Sequence, residues 1–271
     1  MTGKKSSIIA AIGVDRGGTW TRLAAIDKRA RLVRAARLRT VPLRSTPGKL
    51  SALLSRWPGG AEAPLVIATR GAFSRPWKKK FLLKALAGKL NLKHVISDAE
   101  AAHLAAFGGG PGLLLIAGTG AVVFSGGPGA FKKTGGHNPV SGDPGSGRWL
   151  GRQYLKLRGR LHEAAGMDHG RCASYARNLL LLALGGHGQA SRLAARAQEE
   201  LASLLREAAG RGRGPVKVAL AGGLINNFHF RSGFMKAARR ALAGRKVSFL
   251  TAARPAEQAA ARLALHGRHT P

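Results

Sequence analysis

Short apolar runs that each stop at a glycine turn constrain the fold of this 271-residue chain more than any other feature. Ile8–Val14 ends in Asp15-Arg16-Gly17-Gly18-Thr19, Leu113–Ala117 in Gly118-Thr119-Gly120, and Val216–Ala221 in Gly222-Gly223. Runs this short, bounded by glycine, read as buried strands rather than helices. Residues 101–131 carry no Lys, Arg, Asp or Glu, which is the composition of a membrane span. The same stretch holds nine glycines and two prolines, which would break a lipid-exposed helix repeatedly, so it too reads as strands joined by glycine loops.

Around these runs the pattern alternates between strand and helix. Ile8–Val14, Trp20–Ile26 and Arg31–Thr40, with a turn at Asp27-Lys28, predict an antiparallel meander. A helix over 47–57, a strand over Leu65–Thr69, a helix over 76–90, a strand over 94–97 and a helix over 98–107 follow. The second half repeats the theme with strands at 113–117 and 121–125, then a glycine-rich connection. Helices at 146–158, 171–184 and 191–209, strands at 216–221 and 246–250, and a last helix at 256–266 complete it. The order predicts an α/β protein of two similar halves, although no repeat is visible in the sequence itself.

Composition narrows the partners. Hydrophobic residues make up 45%, an ordinary globular share, but 45 Lys and Arg stand against 12 Asp and Glu, for a net charge of +33. Residues 1–135 hold 23 basic and 5 acidic residues, so residues 136–271 hold 22 and 7; the excess is spread along the chain. A dedicated nucleic-acid module would concentrate it, so a solvated basic background is favoured over a built polyanion site. The densest runs are Arg75–Lys80 and the stretch from Lys28 to Arg39. One cysteine, Cys172, excludes an internal disulfide, a CxxC zinc site and an all-protein iron–sulfur cluster, and fits a reducing compartment. The residues before Ile8 do not make a leader, so a soluble, cytoplasmic protein is expected.

Each glycine turn alone is ambiguous. Asp15-Arg16-Gly17-Gly18-Thr19 fits a plain hairpin as well as a phosphate loop with a carboxylate placed for a hydrated Mg²⁺. Gly118-Thr119-Gly120 is equally open, and no Walker-type loop is present. Gly142-Asp143-Pro144-Gly145-Ser146-Gly147 puts a carboxylate in a tight loop before a helix, where it could also serve as a cap. Ala221-Gly222-Gly223-Leu224 lets backbone lie flat against a planar ligand. His103 reads as packing or solvent-facing, Cys172 as a small buried hydrophobe, and Trp149 as a core anchor.

Taken in order, these motifs resemble the sugar-kinase branch of the acetate-kinase, Hsp70 and actin superfamily. More narrowly the chain is similar to the BadF/BadG/BcrA/BcrD-type ATPase family, in its N-acetylglucosamine and glucosamine kinase-like branch, from about Ile8 to Leu265. The most specific stretches are 95–102 running on to Gly118-Thr119-Gly120, and 142–152. The resemblance implies two ribonuclease-H-like (actin-like ATPase) domains, 1–107 and 108–255, with a nucleotide cleft between them and helix 256–266 packing back on the first. It implies ATP and Mg²⁺ as cofactors and an amino-sugar substrate. Asp15, Gly17, Gly18 and Thr19 would form the first phosphate loop, with Asp15 its metal contact. Gly118, Thr119 and Gly120 would form the second, and Gly222 and Gly223 would lie against the adenosine. Asp98 would be the catalytic base, and Asp143 would hold sugar hydroxyls; His137, on the glycine loop leading to Asp143, would stand close by. A homodimer is compatible with such a protein, and non-specific polyanion contact with its charge.

The departures fall on the sugar side. The family has an acidic residue where this chain has Pro144, a sugar-binding Asn where residues 40–48 have none, and a Gly-Trp-Gly element where residues 135–139 read Gly-Gly-His-Asn-Pro. Iron–sulfur activators of the same family are excluded by the single cysteine. Two other readings stay open: a catalytically reduced ATP-binding protein whose basic surface contacts a polyanion, and an ATPase acting on a partner protein.

Overall fold

The most apolar runs become central strands, because a strand covered on both faces has no place for polar side chains. The computed structural model describes residues 8–127, 131–138 and 140–267. It divides into two units, Met1–Gly110 with Ala252–Pro271, and Pro111–Thr251.

In the first unit, β1 (Ala11–Arg16), β2 (Trp20–Ile26) and β3 (Leu32–Arg39) form the expected antiparallel meander. There follow α1 (Thr46–Leu54), β4 (Leu65–Thr69), α2 (Trp77–Leu86), β5 (Leu92–Ser97) and α3 (Asp98–Phe107). The sheet order is β3-β2-β1-β4-β5, with β1, β4 and β5 parallel. Strand alternation separates two cores. Ile12, Val14, Leu65 and Ile67 pack with Leu50, Leu54, Leu82 and Leu86, while Ala11, Val66 and Ala68 pack with Leu104 on α3.

The second unit repeats this topology. β6 (Gly112–Ala117), β7 (Ala121–Gly126) and β8 (Lys132–Gly135) are antiparallel. Helices α4 (Gly147–Leu157), α5 (His169–Ser174), α6 (Ala176–Leu184) and α7 (Gly188–Ala209) lead to β9 (Val216–Ala221), α8 (Phe228–Ala241) and β10 (Val247–Leu250). The order β10-β9-β6-β7-β8 places three antiparallel strands beside two parallel ones, as in the first sheet. The chain then returns to the first unit as α9 (Ala256–His266). Alpha-9 lies directly on β1: a Cβ at Gly13 would collide with the backbone of Glu257 and Ala261.

Several elements differ from the sequence expectation. Beta-8 emerges from what reads as a glycine-rich connection, and α8 was not expected at all. The single helix over 171–184 is two, because α5 starts at an Asp168 cap and the chain tightens at Tyr175, whose N–H reaches Cys172 O at 3.3 Å. Gly151 permits this corner, since a side chain there would strike the Cys172 carbonyl. Alpha-7 begins three residues early because His187 caps it, its Nδ1 accepting from Ala190 N. His103 is fully buried with its ring 4.5 Å from Phe107, so it packs and does not face solvent. Cys172 is buried, and Trp149 is partly buried against the second-unit core with Arg196 over its ring. No described helix is long and apolar enough to cross a membrane.

Candidate functional site

In the first unit the chemistry gathers where three parallel strands end. The register pairs Arg16 with Thr69 and Thr69 with Ser97, so the residues just beyond, Gly17, Arg70 and Asp98, leave the sheet along one edge. Residues 15–19 make a tight hairpin turn: Gly17 N donates to Trp20 O at 3.0 Å, leaving Gly18 and Thr19 exposed. Thr40 pins the turn, its hydroxyl donating to Gly17 O and its N–H to Thr19 O.

Asp15 is held under electrostatic load. Its carboxyl rises to about 6, chiefly through burial and then through the charges of Glu257 and Asp98, with Arg22 at 3.6 Å opposing them. A divalent cation would relieve that load, so the residues present fit Mg²⁺. Among the described residues no three His, Cys, Asp or Glu side chains gather to hold a metal alone.

Asp98 opens α3 but does not cap it. Ser97 is the cap: its hydroxyl accepts from Glu100 N at 3.0 Å, and the Glu100 carboxylate accepts from Ser97 N. Glu100 also pairs with Lys79 at 3.6 Å. The capping box is therefore complete without Asp98, whose carboxylate makes no hydrogen bond or ion pair among the described residues.

In the second unit, three of the glycine segments converge. Gly118 N donates to Gly120 O, closing the β6–β7 hairpin. The start of α4 is fastened to that hairpin, Gly147 N donating to Gly118 O at 2.7 Å and Arg148 N to Thr119 O at 3.2 Å. Leu224 N donates to Ala117 O at 3.1 Å from the other side. Gly118, Thr119, Gly147, Gly223, Leu224 and Asn227 line one cavity of about 660 Å³, together with residues of α5 and α6. The glycines divide by role. A Cβ at Gly222 (φ +102°) would run into the Ala117 backbone, so Gly222 is demanded by the fold. At Gly118 and Gly223 it would meet nothing closer than 3.9 Å, and the space belongs to the cavity.

Asp143 braces the same region, its carboxylate accepting from Ala121 N and from Asn138 N, both at 3.0 Å. His137 is exposed on the loop that carries Asn138; Pro139, in the stretch singled out above, lies outside the described residues. The sequence reading missed Arg16 and Arg70. Arg16 donates to Thr46 Oγ1 and to Val41 O, tying the first loop to the start of α1 and the segment before it. Arg70, directly after β4, extends its guanidinium to Gly18, where an added Cβ would lie 3.1 Å from Nη1. Its signal was available: like Asp15 and Asp98, it stands at the end of a buried apolar run.

No protein-family model and no curated protein sequence matches the chain. Solved structures do. A protein of Chromobacterium violaceum, provisionally named an N-acetylglucosamine kinase, is 23% identical with a TM-score of 0.67, covering 93% of this chain and 98% of that one. A ROK hexokinase of Thermus thermophilus is 20% identical with a TM-score of 0.67, covering 94% and 97%. A ROK family glucokinase of Streptomyces griseus, solved with glucose and AMPPNP, is 19% identical with a TM-score of 0.55, covering 95% and 99%. The paired α/β units of this chain thus share the fold of these solved structures.

Proposed function

We propose that the chain is an ATP- and Mg²⁺-dependent carbohydrate kinase of the N-acetylglucosamine or glucosamine kinase kind. The observation that carries this is the second-unit cavity: the Gly118-Thr119-Gly120 hairpin, the α4 N-terminus and Gly223 meet around about 660 Å³. That volume lies in the range of small-molecule and cofactor sites. Glycine at 118 and 223 leaves bare backbone where phosphate and purine need close approach. Structures with this fold are named as kinases of N-acetylglucosamine, hexose and glucose, which supports a sugar acceptor. The narrower BadF-type assignment rests on the motif order alone.

In this reading the two hairpin loops hold the phosphates of ATP, and Gly223 lies along the adenosine. Asp143 and His137 stand on the acceptor side. Asp98, uncommitted to the helix cap, takes the proton of the sugar hydroxyl as its oxygen bonds to the terminal phosphorus and ADP departs. A carboxylate suffices because the transition state is loose and the proton leaves late. Mg²⁺, when bound through Asp15, neutralises charge on the phosphate oxygens.

The test is an ADP-release assay on the full chain against a panel of amino sugars and hexoses. Stimulation by N-acetylglucosamine or glucosamine above the hexoses is expected. ATP turnover that no sugar stimulates, or none with any sugar, overturns the reading.

A further inference from the structure

The chemistry proposed above leaves unused a group of cations around the first-unit loop. Arg16 is committed to Thr46 and Val41, and Lys79 to Glu100. Lys78 donates from Nζ to Arg70 O at 2.9 Å, fixing the point where Arg70 leaves β4. The Arg70 guanidinium itself has no hydrogen bond or ion pair among the described residues, although it lies against the loop at Gly18. A side chain at position 18 would press on it. Resting on the kinase reading, we propose that Arg70 binds the terminal phosphoryl group of ATP.

Three features support this. Arg70 and Asp98 each stand one residue past paired strand ends, Thr69 and Ser97, so a cation and the uncommitted carboxylate leave the sheet side by side. The guanidinium covers the loop assigned to phosphate, and its planar fork matches phosphoryl oxygens in pairs. Its surroundings also favour an anion: Lys78 is pushed down by burial and then by the charges of Arg75, Arg16 and Arg70, a cluster that repels itself until negative charge arrives. Arginine aimed at a phosphoryl group in transfer is an established source of rate. Lys78 is a positioning residue in this arrangement, acting through the Arg70 backbone.

The experiment compares affinities for AMPPNP and ADP, with Mg²⁺, by calorimetry on wild-type protein, Arg70→Gln and Arg70→Lys, alongside steady-state kinetics. Wild type should prefer the triphosphate analogue. Arg70→Gln should lose about tenfold or more of that preference with ADP affinity unchanged, and kcat should fall about 100-fold or more at an unchanged sugar KM. Arg70→Lys should restore part of the preference. Folding is checked by ADP binding itself. A triphosphate preference retained in Arg70→Gln overturns the proposal and leaves the kinase reading standing; so does a rise confined to the KM of an acidic sugar, which would place Arg70 on the acceptor. Wild-type protein that binds neither nucleotide overturns both.

Discussion

Three carboxylates of the candidate site carry different loads, and substitution should separate them. Asp98 holds no cap and no partner among the described residues, while Ser97 and Glu100 close the helix without it. Asp98→Asn should therefore leave the melting temperature unchanged and lower sugar phosphorylation by about two orders of magnitude or more. Ser97→Ala should cost about 1 kcal/mol of stability through the lost cap. A folded Asp98→Asn protein with near-wild-type turnover would remove Asp98 from the chemistry. Asp15 is the opposite case, since its carboxyl, raised to about 6 from 3.8, is charged at neutral pH at a cost. The folded state binds more protons than the unfolded one between these values, so the contribution is fully present below about pH 4 and lost as pH rises through about 6. In EDTA, Asp15→Asn should gain stability on the order of 2–3 kcal/mol at pH 7 and lose that advantage near pH 4. Thermal melts of both proteins across pH 4–7.5 check this; parallel curves would show that Asp15 is not under load. Asp143, by contrast, is bound by two backbone N–H groups and is part of the scaffold as well as a candidate for the acceptor.

At the scale of elements, much was legible in the sequence and the failures have causes. The strands Trp20–Ile26, Leu65–Thr69 and Val216–Ala221 and the helices Asp98–Phe107 and Ala256–His266 stand where their apolar runs and caps place them. Alpha-8 was overlooked although Phe230, Phe234, Ala237 and Ala238 mark a helical stripe behind an Asn227 cap. Four basic residues among its fourteen and a glycine at 233 disguised the stripe. Beta-8 could not have been read, because Lys132-Lys133-Thr134-Gly135 has no apolar alternation and pairs as an edge. The glycine turns were legible, yet the division of labour inside Gly222-Gly223 was not, since it depends on the Ala117 backbone about a hundred residues away. That division is testable. Gly118→Val and Gly223→Val should fold and lose ATP affinity by about tenfold or more, because their side chains enter the cavity rather than the protein. Gly222→Val should fail to fold its unit, meeting main chain at a positive φ. Circular dichroism with calorimetry distinguishes the two outcomes, and unchanged ATP binding in folded Gly118→Val protein would sink the loop assignment.

For the molecule as a whole, the question is whether +33 serves a partner. The excess is spread along the whole chain, and little of it is paired. Among the described residues the ion pairs engage Asp15, Asp27, Glu100, Glu163 and Glu200, which leaves most cations without an acidic partner. The basic stretch from Lys28 to Arg39 becomes an edge strand and its turn, where charge hinders pairing with another chain. Its aromatic neighbours are already occupied: Arg37 and Arg39 lie 3.8 and 4.3 Å from the centre of the Trp20 ring, and Arg34 lies 5.6 Å from that of Trp57. Rings covered by guanidinium groups are not platforms for bases, which single-strand binders need. Dispersed charge of this kind should bind any polyanion weakly and in proportion to counterion release. Association with a random DNA duplex should thus be measurable at about 20 mM salt and lost near 0.15 M, where the screening length is about 8 Å. Self-repulsion predicts a second effect of the same ions, a melting temperature that rises with salt over that range. Sub-micromolar duplex binding that survives at about 0.15 M salt would instead reveal a built nucleic-acid site, and would favour the polyanion-binding protein over the kinase.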